Sequence, residues 1–195
     1  MILILLAIIF HIYANYVTHH RIIKNDDKYK YKHKPLFDII HSNTLNMNKY
    51  KYIPDYLAFV FLLPLLYTQD NKCISMFFKI GAIIVILRSI SILATDMPRS
   101  DIECNQSELK NYNLFFGHCY DKMFSGHVAL TLLSLLILYH FNKINDGQML
   151  FSILFHIVYS CFIIITRSHY TVDVLISYFI TIPLFYYAAN GLHTT

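Results

Sequence analysis

The sequence predicts an all-α fold: a polytopic membrane protein whose six transmembrane helices form a single bundle. Composition is the first reason. Hydrophobic residues fill 56% of the 195 positions and charged residues only 14%, with a mean hydropathy of +0.44, whereas a soluble domain carries about 25% charged residues. Patterning is the second, because the apolar residues gather into six stretches that approach the roughly 20 residues needed to cross a bilayer. With 5 Gly and 5 Pro there is little linker material. No internal repeat is visible, so residues 1–195 are expected to form one domain.

The stretches follow in order. Residues 1–17 lack both a Lys/Arg-rich start and a small-residue cleavage pattern, so an uncleaved anchor is expected rather than a signal peptide. Residues 56–68 form the shortest stretch, which reaches full length only by borrowing residues around Ile53 or by running on past Thr68. Residues 73–95 are long and apolar apart from a few polar positions, Arg88 among them. Residues 127–141 and 148–166 are separated by a polar break around Lys143 to Gly147, and residues 171–189 follow a short turn at 167–170.

Six crossings assign residues 18–55, 96–126 and 167–170 to one membrane face, and the remaining short loops with both termini to the other. Eight basic residues lie between Arg21 and Lys51, and Arg99, Lys110, Lys122 and Arg167 join them, against Lys72, Lys79 and Lys143 opposite. By the positive-inside tendency the first face is cytoplasmic. The sequon Asn105-Gln106-Ser107 and the pair Cys104 and Cys119 point the other way, to an oxidising lumenal or exoplasmic face, which is the placement expected here. The basic run from Lys28 to Lys34 suits either a solvated loop or anionic headgroups. It is short and adjoins membrane segments, so nucleic-acid binding is not indicated.

All the candidate chemistry falls on that face. His127 and His169 stand at the ends of apolar stretches, and two crossings lie between them, so both return to the same side and can share one site. Asp173 follows His169 by four residues and lies one helical turn along on the same side. Paired histidines with one carboxylate suggest phosphoryl or acyl transfer. Arg88 sits inside an apolar run, where a central arginine costs about 2.5–3.5 kcal/mol and so faces a partner or a polar cavity. A phosphate suits it, because the guanidinium fork matches two phosphate oxygens. His140 and His156 carry no partner motif and read as structural, while His19, His20, His33 and His41 read as loop residues. His118, Cys119 and Cys104 match no zinc spacing well, so neither a metal nor a cofactor is expected.

Two segments resemble a known family. Cys119-Tyr-Asp121-Lys-Met-Phe-Ser125-Gly-His127 is similar to the Cys-Gly-Asp-x-x-x-Ser-Gly-His-Thr motif of sphingomyelin synthases and related sphingolipid synthases, and His169-Tyr-Thr-Val-Asp173-Val-Leu-Ile-Ser-Tyr178 is similar to their His-Tyr-Thr-x-Asp-Val-x-x-x-Tyr motif at every fixed position. Arg88-Ser-Ile-Ser-Ile92 resembles a degenerate form of the family's arginine-centred motif, and Lys34-Pro-Leu-Phe-Asp38 faintly resembles its Pro-Pro-Leu-Pro-Asp segment. The similarity runs from about residue 34 to 190, a minimal core. Tyr120 replaces the motif glycine, Val128 the threonine, and Leu87 and Ile92 a tyrosine and a methionine, which leaves the transferred headgroup open. The wider type 2 phosphatidic acid phosphatase superfamily shares Ser-Gly-His and His-x-x-x-Asp. Its phosphatases add Lys-x6-Arg-Pro and a Ser-Arg pair, but Phe162 and Ile163 occupy the Ser-Arg positions here.

The resemblance implies a lipid phosphotransferase that moves phosphocholine, phosphoethanolamine or phosphoinositol from a glycerophospholipid to ceramide, releasing diacylglycerol through a phosphohistidine. It implies catalytic roles for His127, His169 and Asp173, and substrate binding by Arg88, Asp121, Ser125 and Tyr170. The alternatives are a lipid phosphate phosphatase and a catalytically silent membrane scaffold. Membrane lipids are the expected partners.

Overall fold

The computed structural model describes residues 2–24, 35–95, 97 and 123–191. Among these residues there are seven α-helices and no strand: α1 (Ile2–Lys24), α2 (Ile39–Asn43), α3 (Ile53–Tyr67), α4 (Asn71–Ala94), α5 (Gly126–His140), α6 (Asp146–Ile165) and α7 (Thr171–Gly191), with a short 3-10 turn at Asn48–Tyr50. His33, Cys104, Asn105, His118, Cys119, Asp121 and the basic run up to Lys34 lie outside the described residues.

The helices stand close to where the apolar pattern places them, but they divide by length. α1 over Ile2–Arg21, α4, α6 and α7 are long and apolar enough to cross a membrane. The 15-residue α3 and α5 are shorter, spanning about 22 Å at 1.5 Å per residue against a hydrocarbon core of about 30 Å. The prediction of six full spans is therefore met in four helices. α3 gains its first turn from Ile53 and Pro54 and ends at Thr68. α5 is bounded by the Ser125 cap and by a tight turn in which Asn142 takes a left-handed φ of 52°.

α5 is the hub. It packs against α3, α4, α6 and α7, and every residue from Thr131 to Leu138 is buried, the pattern of a helix apolar all round. Outward faces elsewhere keep large apolar side chains exposed, such as Phe59 and Leu63 on α3, Phe151 and Leu154 on α6, and Phe179 on α7, as lipid contact requires.

α1 lies along α4. It runs past the expected end at residue 17 to Lys24, so His19 and His20 are helical rather than in a loop. Arg21 explains the extension: its guanidinium donates to the carbonyls of Leu93 (3.0 Å) and Ile92 (3.4 Å), orphan acceptors at the end of α4 that favour a cation. Deeper in the same seam, His11 Nδ1 meets Ser89 Oγ at 3.0 Å and Asn15 Nδ2 meets His11 Nε2 at 3.2 Å. At the far end of the bundle, Lys143 pairs with Asp70 at 2.8 Å.

Candidate active site

The Ser-Gly-His turn opens α5. Ser125, fully buried, caps the helix by accepting from Val128 N at 3.4 Å, and His127 sits in the first turn, where unpaired backbone N–H groups favour an anion. Arg88 reaches this turn from α4. Its Nε donates to Phe124 O at 3.1 Å, and a Cβ added at Gly126 would lie 3.5 Å from Arg88 Nη1. The arginine thus faces the protein at the start of α5.

The second motif opens α7. His169 Nδ1 lies 3.5 Å from Asp173 Oδ2, with side-chain exposures of 9% and 0%. That is ion-pair range, longer than a strong hydrogen bond, and such bonds in unliganded sites tighten when substrate arrives. Asp173 Oδ2 also accepts from Tyr170 N at 2.9 Å. Its Oδ1 is buried without a hydrogen-bond partner among the described residues, which leaves the carboxylate with capacity to hold a charged imidazole.

Ser177 joins the two motifs. Ser125 N donates to Ser177 Oγ at 3.0 Å, and the Ser177 hydroxyl lies 3.1 Å from Ser125 O and 2.7 Å from Asp173 O. A second chain of bonds supports His127 from beneath. Ser160 Oγ meets Tyr178 OH (3.0 Å), which meets His156 Nδ1 (2.7 Å); His156 Nε2 meets Thr131 Oγ1 (2.9 Å), which donates to His127 O (2.6 Å). Because Thr131 spends its proton on His127 O, His156 donates from Nε2 and accepts at Nδ1. Both ring nitrogens are used, in keeping with a structural histidine.

Three further positions join the candidate site, two with no local signal in the sequence and one with a faint one. Ser177 is the first. Asp55, in the first turn of α3, is another: its Oδ1 lies 2.9 Å from His127 Nε2. The third is Asp38, which caps two helices. Its Oδ1 accepts from Ile40 N and His41 N at 3.0 Å each and from Thr171 Oγ1 at 2.8 Å, while Oδ2 accepts from Thr171 N at 2.6 Å. The Pro-Leu-Phe-Asp38 similarity was the available hint.

Asp38 belongs to a clasp around the turn that carries His169. Leu36 N donates to Tyr170 OH (3.1 Å), His41 Nε2 to His169 O (3.2 Å), Arg167 Nη2 to the carbonyls of His41 (2.7 Å) and Thr44 (3.0 Å), and Met47 N to Ile165 O (3.2 Å). His41 is accordingly part of the packed turn and not a solvated loop residue. Tyr170 is 1% exposed and turned toward this segment. Asp121 lies outside the described residues.

The clasp has a pH dependence. Burial pushes the His41 imidazole below its ordinary value, with Arg167 adding to that and Asp38 opposing it. Burial alone would raise Asp38, but hydrogen bonds from Thr171 and His41 hold its carboxyl below the usual range. Both native values are depressed, so each group's contribution is complete above its unfolded value, about 6.5 for His and 3.9 for Asp, and is lost as pH falls through the native value. Acidification from pH 7 to 5 should therefore loosen the clasp through His41. Hydrogen exchange of residues 35–50 and 168–173, corrected for intrinsic rates, should rise over that interval in the wild type and stay flat in His41→Gln.

Residues 118–190, which hold both histidine motifs, match the PAP2 superfamily C-terminal family. The chain is 34% identical over 128 residues to a phosphatidylinositol:ceramide inositolphosphotransferase of Trypanosoma cruzi (strain CL Brener), covering 56% of this chain and 36% of the relative. It is 27% identical over 119 residues to the protein of the same name from Leishmania major, covering 53% and 35%. The chain spans about a third of the length of these curated relatives. No solved structure matches. The resemblance drawn from the two histidine motifs is supported by these matches.

Proposed function

We propose that this chain, a sphingolipid synthase-like member of the PAP2 superfamily, transfers a phospho-headgroup from a glycerophospholipid to ceramide, with phosphatidylinositol as the donor to test first. The observation that carries the reading is the carboxylate-backed His169 on the turn before α7, stitched through Ser177 to the turn that presents His127. The donor preference rests on the names of the two relatives.

In this mechanism Asp173 holds Nδ1 of His169, and Nε2 attacks phosphorus. The phosphorus–nitrogen bond forms as the bond to the diacylglycerol oxygen breaks, and His127 gives that oxygen a proton. His127 then takes the proton of the ceramide alcohol, whose oxygen displaces His169 and restores the enzyme. A histidine suits both steps because its ordinary pKa, about 6.5, lies near working pH. Arg88 neutralises non-bridging phosphate oxygens, and the N-terminus of α5 adds free N–H groups. Asp121 and Tyr170 remain proposed substrate contacts. The reading takes α3 and α5 as crossings beside the four longer helices, in one bundle of six, with the site on the lumenal or exoplasmic face.

The test is purified protein with labelled phosphatidylinositol, phosphatidylcholine or phosphatidylethanolamine, with and without ceramide. A ceramide-dependent phospholipid product is expected, first from phosphatidylinositol. Headgroup or phosphate release that ignores ceramide would instead assign a phosphatase, and no turnover of any donor would refute both.

A further inference from the structure

Asp55 is an acidic side chain at the edge of an apolar helix, and its carboxylate lies 2.9 Å from His127 Nε2. An acid in a first helical turn often does no more than complement the helix dipole. Here it is aimed at an imidazole on a different helix, and both helices are fixed. Tyr159, 1% exposed, donates to the carbonyl of Pro54 at 3.1 Å, immediately before Asp55. Further into the bundle from His127, Ser134 Oγ donates to Phe61 O at 2.8 Å and ties α5 to α3. The two ends that meet at the pair are thus held from both sides.

Resting on the mechanism above, we propose that Asp55 is the positioning residue for His127. Its carboxylate accepts from Nε2–H, which fixes the tautomer and leaves Nδ1 as the nitrogen that exchanges protons with the substrates. In the charged form Nδ1–H protonates the departing diacylglycerol oxygen; in the neutral form the Nδ1 lone pair accepts the proton of the ceramide alcohol. Nε2 keeps its proton throughout, and Asp55 takes none up. Its contribution is to orient the ring and to stand beside the imidazolium that protonates the leaving group. The centre then holds two histidines carried by two carboxylates, one from the first turn of the helix that follows its histidine and one from a neighbouring helix. The pair is partly exposed, 34% for His127 and 50% for Asp55, so the effect should be smaller than for a buried dyad.

A sulfur-for-oxygen donor separates this role from a fold role, because a thiolate departs without a proton. Single-turnover release of diacylglycerol from the ordinary donor, and of its thiol from the bridging phosphorothiolate, should be measured with acceptor present for wild type, Asp55→Asn and Asp55→Ala. Both variants are expected to slow the oxygen donor about 10- to 100-fold, within the range of general acid catalysis, and the sulfur donor less than about 3-fold. Equal losses on both donors would place Asp55 in the fold alone, and no loss on the oxygen donor would remove it from the reaction. Wild type inactive on both would refute the parent mechanism instead.

Discussion

His169→Gln is expected to abolish ceramide-dependent headgroup transfer, a fall of at least about 10⁴-fold, because it removes the nucleophile of the proposed mechanism. The side chain is 9% exposed and backed by Asp173, so glutamine, of similar length and polarity, should leave the fold in place. Two measurements check this. Product formation should vanish while the thermal transition in detergent stays within a few degrees. Acid-labile labelling of the protein by a headgroup-labelled donor should vanish with it. Asp173→Asn should retain the fold and lose about 10²- to 10⁴-fold, since an amide can hold the ring in the wrong tautomer. Transfer surviving in His169→Gln would move the nucleophile elsewhere.

Ser177→Ala is expected to lower both stability and rate, at a residue with no chemistry of its own. The change strands Ser125 N–H in the buried turn before His127, at a cost of about 1–3 kcal/mol, while Ser125 O keeps the bond it accepts from Ala129 N. It also frees the His127 turn to shift relative to α7, and a displacement near 1 Å costs about 10²-fold in rate. A lowered thermal transition together with a fall in kcat of about 10²-fold at nearly unchanged KM is expected. A kcat within about 3-fold of wild type would mean that other contacts set the register of the two motifs.

Much of the architecture was legible because membrane helices announce themselves locally. The starts of α5 and α7 fall within a residue of the expected positions, since Ser125 and the His169 turn are polar signals beside apolar runs. The end of α1 was not legible: Arg21 and Lys24 read as loop, and only the α4 carbonyls 71 and 72 positions away explain why the helix continues. The same division holds at the centre. His127, His169, Asp173 and Arg88 stand out as ionisable groups in apolar surroundings. Asp38, Asp55 and Ser177 do not, because their partners come from other elements; Asp38 reaches Thr171 across 133 positions and Ser177 reaches Ser125 across 52. Tyr170 illustrates the converse, a motif residue whose hydroxyl is engaged by Leu36.

The clasp around the His169 turn limits what can be moved between proteins. Residues 118–190 contain both histidines, yet Asp38, His41, Asp55 and Arg88 all belong to the preceding portion of the chain. The signature segment is therefore not a transplantable cassette. A chimera that imports it into a foreign scaffold should acquire headgroup transfer only when residues 35–55 and the arginine-bearing helix travel with it.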